Sequence, residues 1–302
     1  MAATDPDRDF EMRLADGRRL CWREYGVGDG QPVLALHGTP GSRLKYRFVH
    51  ATAGQLGLRL ITPDRWGYGL TDQHPRPSLV AYAEDAVQLM AHCGSARFAV
   101  VGISGGGPFA AALSARYPDK VTGLALVAPV ARVATAQTSG PISRFHALCF
   151  RVLPKVPGAV RLIFELFRAI ALCSPSLAMR IATLRAGPAD RELMRTPALR
   201  QMVGTTFAEG LRRRVNGAVT DMDLFARAWQ VDPADVQCPV TVWTGGDDRN
   251  VPIAAAQRLC QEMPHAKNIH RPDFGHLWIS RNFDPVLEWL ADDALPEEDA
   301  LS

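Results

Sequence analysis

Phe98-Ala99-Val100-Val101-Gly102-Ile103-Ser104-Gly105-Gly106-Gly107-Pro108-Phe109-Ala110 is the stretch that decides the fold. It opens as a short continuous apolar run, the pattern of a strand buried on both faces. The run passes into Gly102-x-Ser104-x-Gly106 and then into a helical pattern that stops before Pro118. Strand, sharp turn with serine at its apex, and helix together make a nucleophile elbow. Glycine two positions either side of the serine lets neighbouring backbone pass, because it carries no Cβ. The following helix aims its free N–H groups at the site. The same residues also fit a dinucleotide fingerprint, Gly105-x-Gly107-x-x-Ala110. That fingerprint needs an acid about 20 positions on, at the end of the next strand. The next strand instead ends Leu126-Val127-Ala128-Pro129, so no nicotinamide cofactor is expected.

Further strands are read on both sides of the elbow. Phe10 to Leu14 and Leu20 to Tyr25 flank the turn Ala15-Asp16-Gly17-Arg18, a hairpin signal. Pro32 to Leu36, Leu58 to Thr62 and Val121 to Val127 repeat the buried-strand pattern. A helix follows Ser78, with Tyr82, Ala86, Leu89 and Met90 at helical spacing and Gly94 as its stop. Alternating strands and helices imply a mostly parallel sheet covered on both faces. The alternation breaks after Val130. Phe145 to Val152, Ala159 to Cys173, Leu177 to Leu184 and Leu199 to Leu211 all read as helices, and the strand signal returns at Pro239 to Trp243 and Lys267 to His270. A last amphipathic helix runs from Asp284 to Ala291. The expected organisation is an α/β core over 1–130 and 228–291, a helical insertion over 131–227, and an acidic, solvated tail over 292–302.

Composition excludes several classes. Hydrophobic residues are 47% and charged residues 22% of the 302, the balance of a globular protein rather than a disordered chain. The formal charge is +3, which makes no case for nucleic acid. The six cysteines form no C-x-x-C pair, so zinc ribbons and redox pairs are unsupported. No apolar run approaches a membrane span, and Met1 to Leu20 has no apolar signal segment. Free thiols in a cytoplasmic protein, without metal, cofactor or stable membrane insertion, are the expectation; oligomeric state is not legible.

A serine nucleophile needs a base and an acid that orients it. Val240 to Trp243 leads into Gly245-Gly246-Asp247-Asp248-Arg249-Asn250-Val251-Pro252, and the last strand leads into Asp273-Phe274-Gly275-His276. Ser, Asp and His then fall in the chain order of this type of site, each just beyond a strand's C-terminal end, where ligand sites form in open parallel sheets. Strand Pro32 to Leu36 ends in His37-Gly38-Thr39-Pro40-Gly41. Oxyanion donors are expected from the backbone N–H of Gly105 and Thr39; Pro40 has none to give.

With these motifs the sequence resembles the α/β-hydrolase family over nearly its whole length. The resemblance rests on His37-Gly38-Thr39-Pro40-Gly41, Asp64-Arg65-Trp66-Gly67-Tyr68-Gly69, Gly102-Ile103-Ser104-Gly105-Gly106, Gly245-x-x-Asp248-x-x-Val251-Pro252 and Gly275-His276. It implies an α/β-hydrolase fold with a helical cap after the sixth strand. It implies a Ser104–His276–Asp248 triad, with Asp248 preferred to Asp247, and a small acyl substrate. A carboxylesterase is the first expectation. Thioesterase, lactonase, amidase and C–C bond hydrolase share the triad, and a ligand-binding, receptor-like member with little turnover is a reading of another class. Relatives that open epoxides or remove halide use an Asp where Ser104 stands, and the tyrosines, at 25, 46, 68, 82 and 117, leave the expected cap without a phenolic acid. Two departures from the family pattern, Trp66 in place of proline and Gly105 in place of a bulkier residue, are expected to reshape the space beside the nucleophile.

Other residues have plainer readings. His37 reads as structural, Asp64 and Arg65 as organisers of the second loop, and Asp247 as a solvent-facing or turn-capping acid. Trp66, Tyr68, Phe109, Phe145, Phe225, Trp229 and Trp278 are candidate pocket aromatics, with plain core as the equal alternative for most of them. Val160 to Ile170 reads as a cap helix packed on the core, with a wall of the acyl pocket or a lipid-touching surface as its functional alternatives. The small net charge hides an asymmetry: residues 132–230 hold 15 basic and 6 acidic residues. A basic cap of this kind attracts anionic substrates or surfaces.

Overall fold

The computed structural model describes residues 3–292. The tail expected at 292–302 lies outside them except for Asp292. Eight strands form one sheet: β1 (Phe10–Arg13), β2 (Arg19–Gly26), β3 (Gln31–Leu36), β4 (Leu58–Pro63), β5 (Phe98–Ile103), β6 (Val121–Val127), β7 (Val240–Gly245) and β8 (Ala266–Arg271). Their order is β1-β2-β4-β3-β5-β6-β7-β8. β2 is antiparallel to both of its neighbours, and the remaining pairs are parallel. β3 has β4 on one side and β5 on the other. The chain therefore reverses its winding there and opens a crevice at the strands' C-terminal ends.

Helices α1 (His50–Gln55), α2 (Leu79–His92) and α3 (Gly107–Arg116) connect the first strands. The segment between β6 and β7 holds α4 (Ala136–Ser139), α5 (Arg144–Ala147), α6 (Ala159–Cys173), α7 (Pro175–Ala182), α8 (Pro188–Leu193), α9 (Pro197–Gly210) and α10 (Asn216–Phe225); α11 (Ile253–Glu262) and α12 (Asp284–Asp292) finish the fold. None of the helices among the described residues is long and apolar enough to cross a membrane.

All six residues of β5 are buried, and the pleat sends them to opposite faces. Phe98 and Val100 join one apolar cluster with Leu89 of α2, Leu113 of α3 and Leu259 of α11. Ala99, Val101 and Ile103 join the other, with Ala53 of α1 and Val286, Leu287 and Leu290 of α12. Each large apolar side chain so buried contributes about 1.5–3 kcal/mol.

The segment between β6 and β7 is built of helices, partitioned differently from the sequence reading. The four helices read from the sequence are joined by α4, α8 and α10. α10 has a weak sequence signal because Gly217 in its first turn and Asp221 in its interior are both poor helix formers. Tertiary contacts override that propensity, since both residues are buried against the core. Phe145 to Val152 is not one α-helix: α5 gives way to a π-turn at Leu148–Val152.

Candidate active site

Ser104 stands at the apex of the turn between β5 and α3 with φ of 51°, a left-handed conformation uncommon for a residue with a side chain. The strain is held by close packing on both sides. A Cβ on Gly102 would come within 2.7 Å of the Ala110 Cβ, and one on Gly106 within 2.7 Å of the Leu36 carbonyl oxygen. Bare glycine at both places lets β3 and α3 pinch the turn, so the serine hydroxyl projects out of the sheet.

His276 follows β8, and its Nε2 lies 3.0 Å from Ser104 Oγ. Its Nδ1 lies 2.8 Å from Asp248 Oδ2, beyond β7. The carboxylate accepts only, so Nδ1 carries the proton and Nε2 is left to accept from the serine hydroxyl. Asp248 is held in turn through Oδ1, which accepts the backbone N–H groups of Asn250 (2.8 Å) and Val251 (3.1 Å). Three residues 172 positions apart at the extremes thus form one hydrogen-bonded chain. Asp247, the neighbouring candidate, does not face His276. It is half-buried and accepts the N–H of Ala189 at the start of α8.

His276 sits in opposing fields. Burial disfavours its charged form, but the charge and hydrogen bond of Asp248 outweigh burial and hold it above the ordinary imidazole value of 6.5. Lys45, whose own pKa burial pushes down to about 8, works in the other direction on His276. If His276 accepts a proton during turnover, kcat/KM falls as pH drops through this raised pKa, giving an acid limb above pH 6.5. Lys45→Met removes a positive neighbour, raises the imidazole pKa further and is expected to move that limb to higher pH. A pH–rate profile of both proteins checks this, and a limb that stays put or moves down contradicts it.

Thr39 follows β3 and faces the elbow across the crevice, next to Gly105. A Cβ on Gly105 would collide with the Thr39 side chain, so the glycine that departs from the family pattern is matched to this threonine. The Thr39 hydroxyl donates to Asp221 Oδ2 of α10. The same carboxylate takes a bidentate pair from Arg65 at 2.6 and 2.8 Å and the Tyr68 hydroxyl at 2.6 Å. Arg65 is 1% exposed and also donates to the carbonyls of His37 and Gly38. His37 Nε2 accepts the Arg65 N–H, and burial followed by the charge of Arg65 holds its pKa well below 6.5, so it is a neutral strut. Asp64 binds the Arg43 guanidinium and the N–H groups of Arg43 and Leu70.

Two acids from the inserted segment were not singled out in the sequence. Asp221 is one. Asp190 of α8 is the other: it is buried and accepts the backbone N–H of His276 at 2.8 Å and of Leu277 at 2.7 Å. Gly275 is required beside it, because a Cβ there would collide with the Asp190 carboxylate. Only the spare glycine before His276 hinted at such a neighbour. Asp190→Ala would leave two buried N–H groups unpaired, at about 1–3 kcal/mol each, and free the His276 loop. Misplacement of the base by about 1 Å can cost on the order of 100-fold. A kcat loss of roughly that size, with KM little changed, is expected from steady-state kinetics; an unchanged kcat would show that the loop is held by other contacts.

Ser104, Thr39 and His276 open into a cavity of about 440 Å³. Six phenylalanines line it: 145, 150, 164, 167, 207 and 225, all from the segment between β6 and β7. Of the aromatics expected in the pocket only Phe145 and Phe225 are there. Trp66 is corrected to core: it donates to Asp85 and packs on His74 and Tyr82, and so does not reshape the space beside Ser104. Tyr68 is turned to Asp221, Phe109 packs on Tyr82 and under Arg65, Trp229 is buried in the main core, and Trp278 packs on Trp243 and Phe274.

Comparison with known proteins speaks to the family and the fold. A family model described as alpha/beta hydrolase fold matches residues 31–280. An uncharacterized hydrolase of Bacillus subtilis, YcgS, is 34% identical over 126 residues, which is 41% of this chain and 43% of that protein, under half of its length. The pimeloyl-acyl-carrier-protein methyl ester esterase of Chromobacterium violaceum is 29% identical across 83% of this chain and 89% of its own. Among solved structures, an alpha/beta hydrolase fold protein from Nakamurella multipartita superposes with a TM-score of 0.69 at 24% identity, covering 94% of this chain and 98% of that one. That last likeness speaks for the fold alone.

Proposed function

The chain belongs to the α/β hydrolase fold family, and from that premise we propose that it is a serine hydrolase cleaving esters of apolar acyl groups. One observation carries the reading: the Ser104–His276–Asp248 hydrogen-bonded chain opens directly into a phenylalanine-lined cavity. His276 Nε2 takes the Ser104 proton as Oγ bonds to the substrate carbonyl carbon. The resulting oxyanion accepts from the backbone N–H groups of Thr39 and Gly105. His276 then returns the proton to the leaving alcohol as the C–O bond breaks. Water, deprotonated by the same imidazole, releases the acid and regenerates Ser104. Asp248 holds the tautomer and balances the imidazolium charge.

The inserted helices over 131–227 act as a cap that supplies the acyl pocket. A cavity of about 440 Å³ suits a small to medium ligand, and its apolar wall favours hydrocarbon over charged acyl groups. The ester preference is supported by the name of the Chromobacterium relative, a methyl ester esterase. Thioester, lactone, amide and C–C substrates use the same triad, so ester turnover is tested beside nucleophile labelling. A fluorophosphonate probe is expected to label the protein once, at Ser104, by peptide mass mapping. A panel of esters and thioesters graded by acyl length should show a preference for apolar acyl chains. An unlabelled wild-type protein overturns the reading. Labelling without ester turnover moves it to another substrate of the same triad.

A further inference from the structure

We propose that the outer face of the inserted helices docks reversibly on an anionic phospholipid surface, with the mouth of the catalytic cavity turned towards the lipid. The large hydrophobic side chains left exposed among the described residues all lie between Leu148 and Leu184. The helix expected to pack on the core does so only in part. In α6 just Val160 and Ala171 are buried, while Leu162 is 62% and Leu166 60% exposed. Phe164 and Phe167 face inward to the cavity, so α6 is apolar on both sides. α7 and the turn after it repeat the pattern with Leu177, Ile181 and Leu184 at helical spacing, the last 72% exposed. α6 and α7 pack against each other, and exposed large apolar side chains gathered on neighbouring helices mark an interaction surface rather than ordinary scatter.

Charge selects the occupant. Residues 144–185 carry seven basic side chains and a single acid, Glu165. Of the segment's five other acids, Asp190 and Asp221 are buried in the core network and Glu209 pairs with the buried Arg43, while Glu192 and Asp223 pair with Arg195 and Arg227. The exposed leucines of α6 and α7 therefore lie in a stretch with a large excess of positive charge. Two copies meeting through it would set like charges against each other, which disfavours a dimer. Leucine and isoleucine flanked by arginine suit instead the boundary between acyl chains and anionic headgroups. Continuity supplies the orientation: Ile163 and Ala182 are exposed on this face and also line the cavity. An amphiphilic substrate could pass from lipid to Ser104 without crossing water. The surface itself does not depend on the proposed chemistry.

Vesicle sedimentation tests it. The wild-type chain is expected to sediment with phosphatidylcholine–phosphatidylglycerol vesicles, much less with phosphatidylcholine alone, and to be released by salt. The double variant Leu162→Glu, Leu166→Glu should bind at least tenfold more weakly while hydrolysing a short water-soluble ester at the wild-type rate. Neither residue touches the cavity. Ser104→Ala should sediment like the wild type, which separates failure of docking from failure of the hydrolase reading. Wild type that stays in the supernatant with every vesicle overturns the proposal. So does a double variant that binds as well as wild type, or a self-associated wild type whose dimer, not its lipid binding, is what the glutamates abolish.

Discussion

Replacing Ser104 with alanine is expected to lower kcat for an activated ester by roughly a million-fold, the size of loss that follows removal of a triad nucleophile. The fold should be untouched. Alanine keeps the Cβ that the strained turn already accommodates at φ 51°, and the Asp248–His276 pair keeps its 2.8 Å hydrogen bond. What goes is the atom that bonds to carbon and the proton that Nε2 accepts. Any residual rate comes from oriented water and the oxyanion donors, and is insensitive to fluorophosphonate. KM should move little, because the apolar cavity is built from other residues. Stopped assays with a chromogenic ester beside a thermal melt check both halves. A variant that keeps more than a tenth of the wild-type rate would falsify the assignment of the nucleophile.

Asp221→Ala has the largest expected effect on stability. Asp221 receives four donors: both Arg65 terminal nitrogens, the Tyr68 hydroxyl and the Thr39 hydroxyl. Truncation leaves the Arg65 guanidinium 1% exposed without its counter-charge. Breaking a buried pair from one side costs about 3–5 kcal/mol, most of it the price of stranding the remaining ion. For a protein of this size that is a fall in Tm of roughly 10 °C. Catalysis should suffer as well, since the same carboxylate anchors the Thr39 loop beside Ser104. Arg65→Met with Asp221→Leu separates the two effects. It removes both charges together, so stability should recover while kcat stays low. Calorimetry showing no loss for Asp221→Ala, or full activity in the double variant, would refute this account.

Much of the α/β core is written in local patterns. Strands buried on both faces need continuous apolar runs, and Phe98 to Ile103 and Val121 to Val127 have them. Helix α2 carries its own signal, with Ser78 capping the N–H of Ala81. Ser104 was legible because a turn this tight admits only a short list of neighbours. The inserted segment was harder. α8 and α10 were missed because their helical state is imposed by burial, and the pocket phenylalanines on α6 could not be told from those of an ordinary packed helix. Trp66 was misplaced for the same reason: an aromatic's sequence position says nothing of which way its ring turns.

By itself, then, the sequence determined the strand–turn–helix elbow, the alternation of strands and helices along the core and the three residue types at strand ends, because each is set by short-range sterics and periodicity. Only the tertiary structure decided that Asp190 and Asp221, from the segment between β6 and β7, hold the His276 and Thr39 loops, and that α6 and α7 leave leucines facing outward. Those outcomes depend on side chains up to 182 positions apart sharing one buried space, where an unpaired charge is costly and a missing Cβ makes room for a carboxylate. No local pattern encodes that.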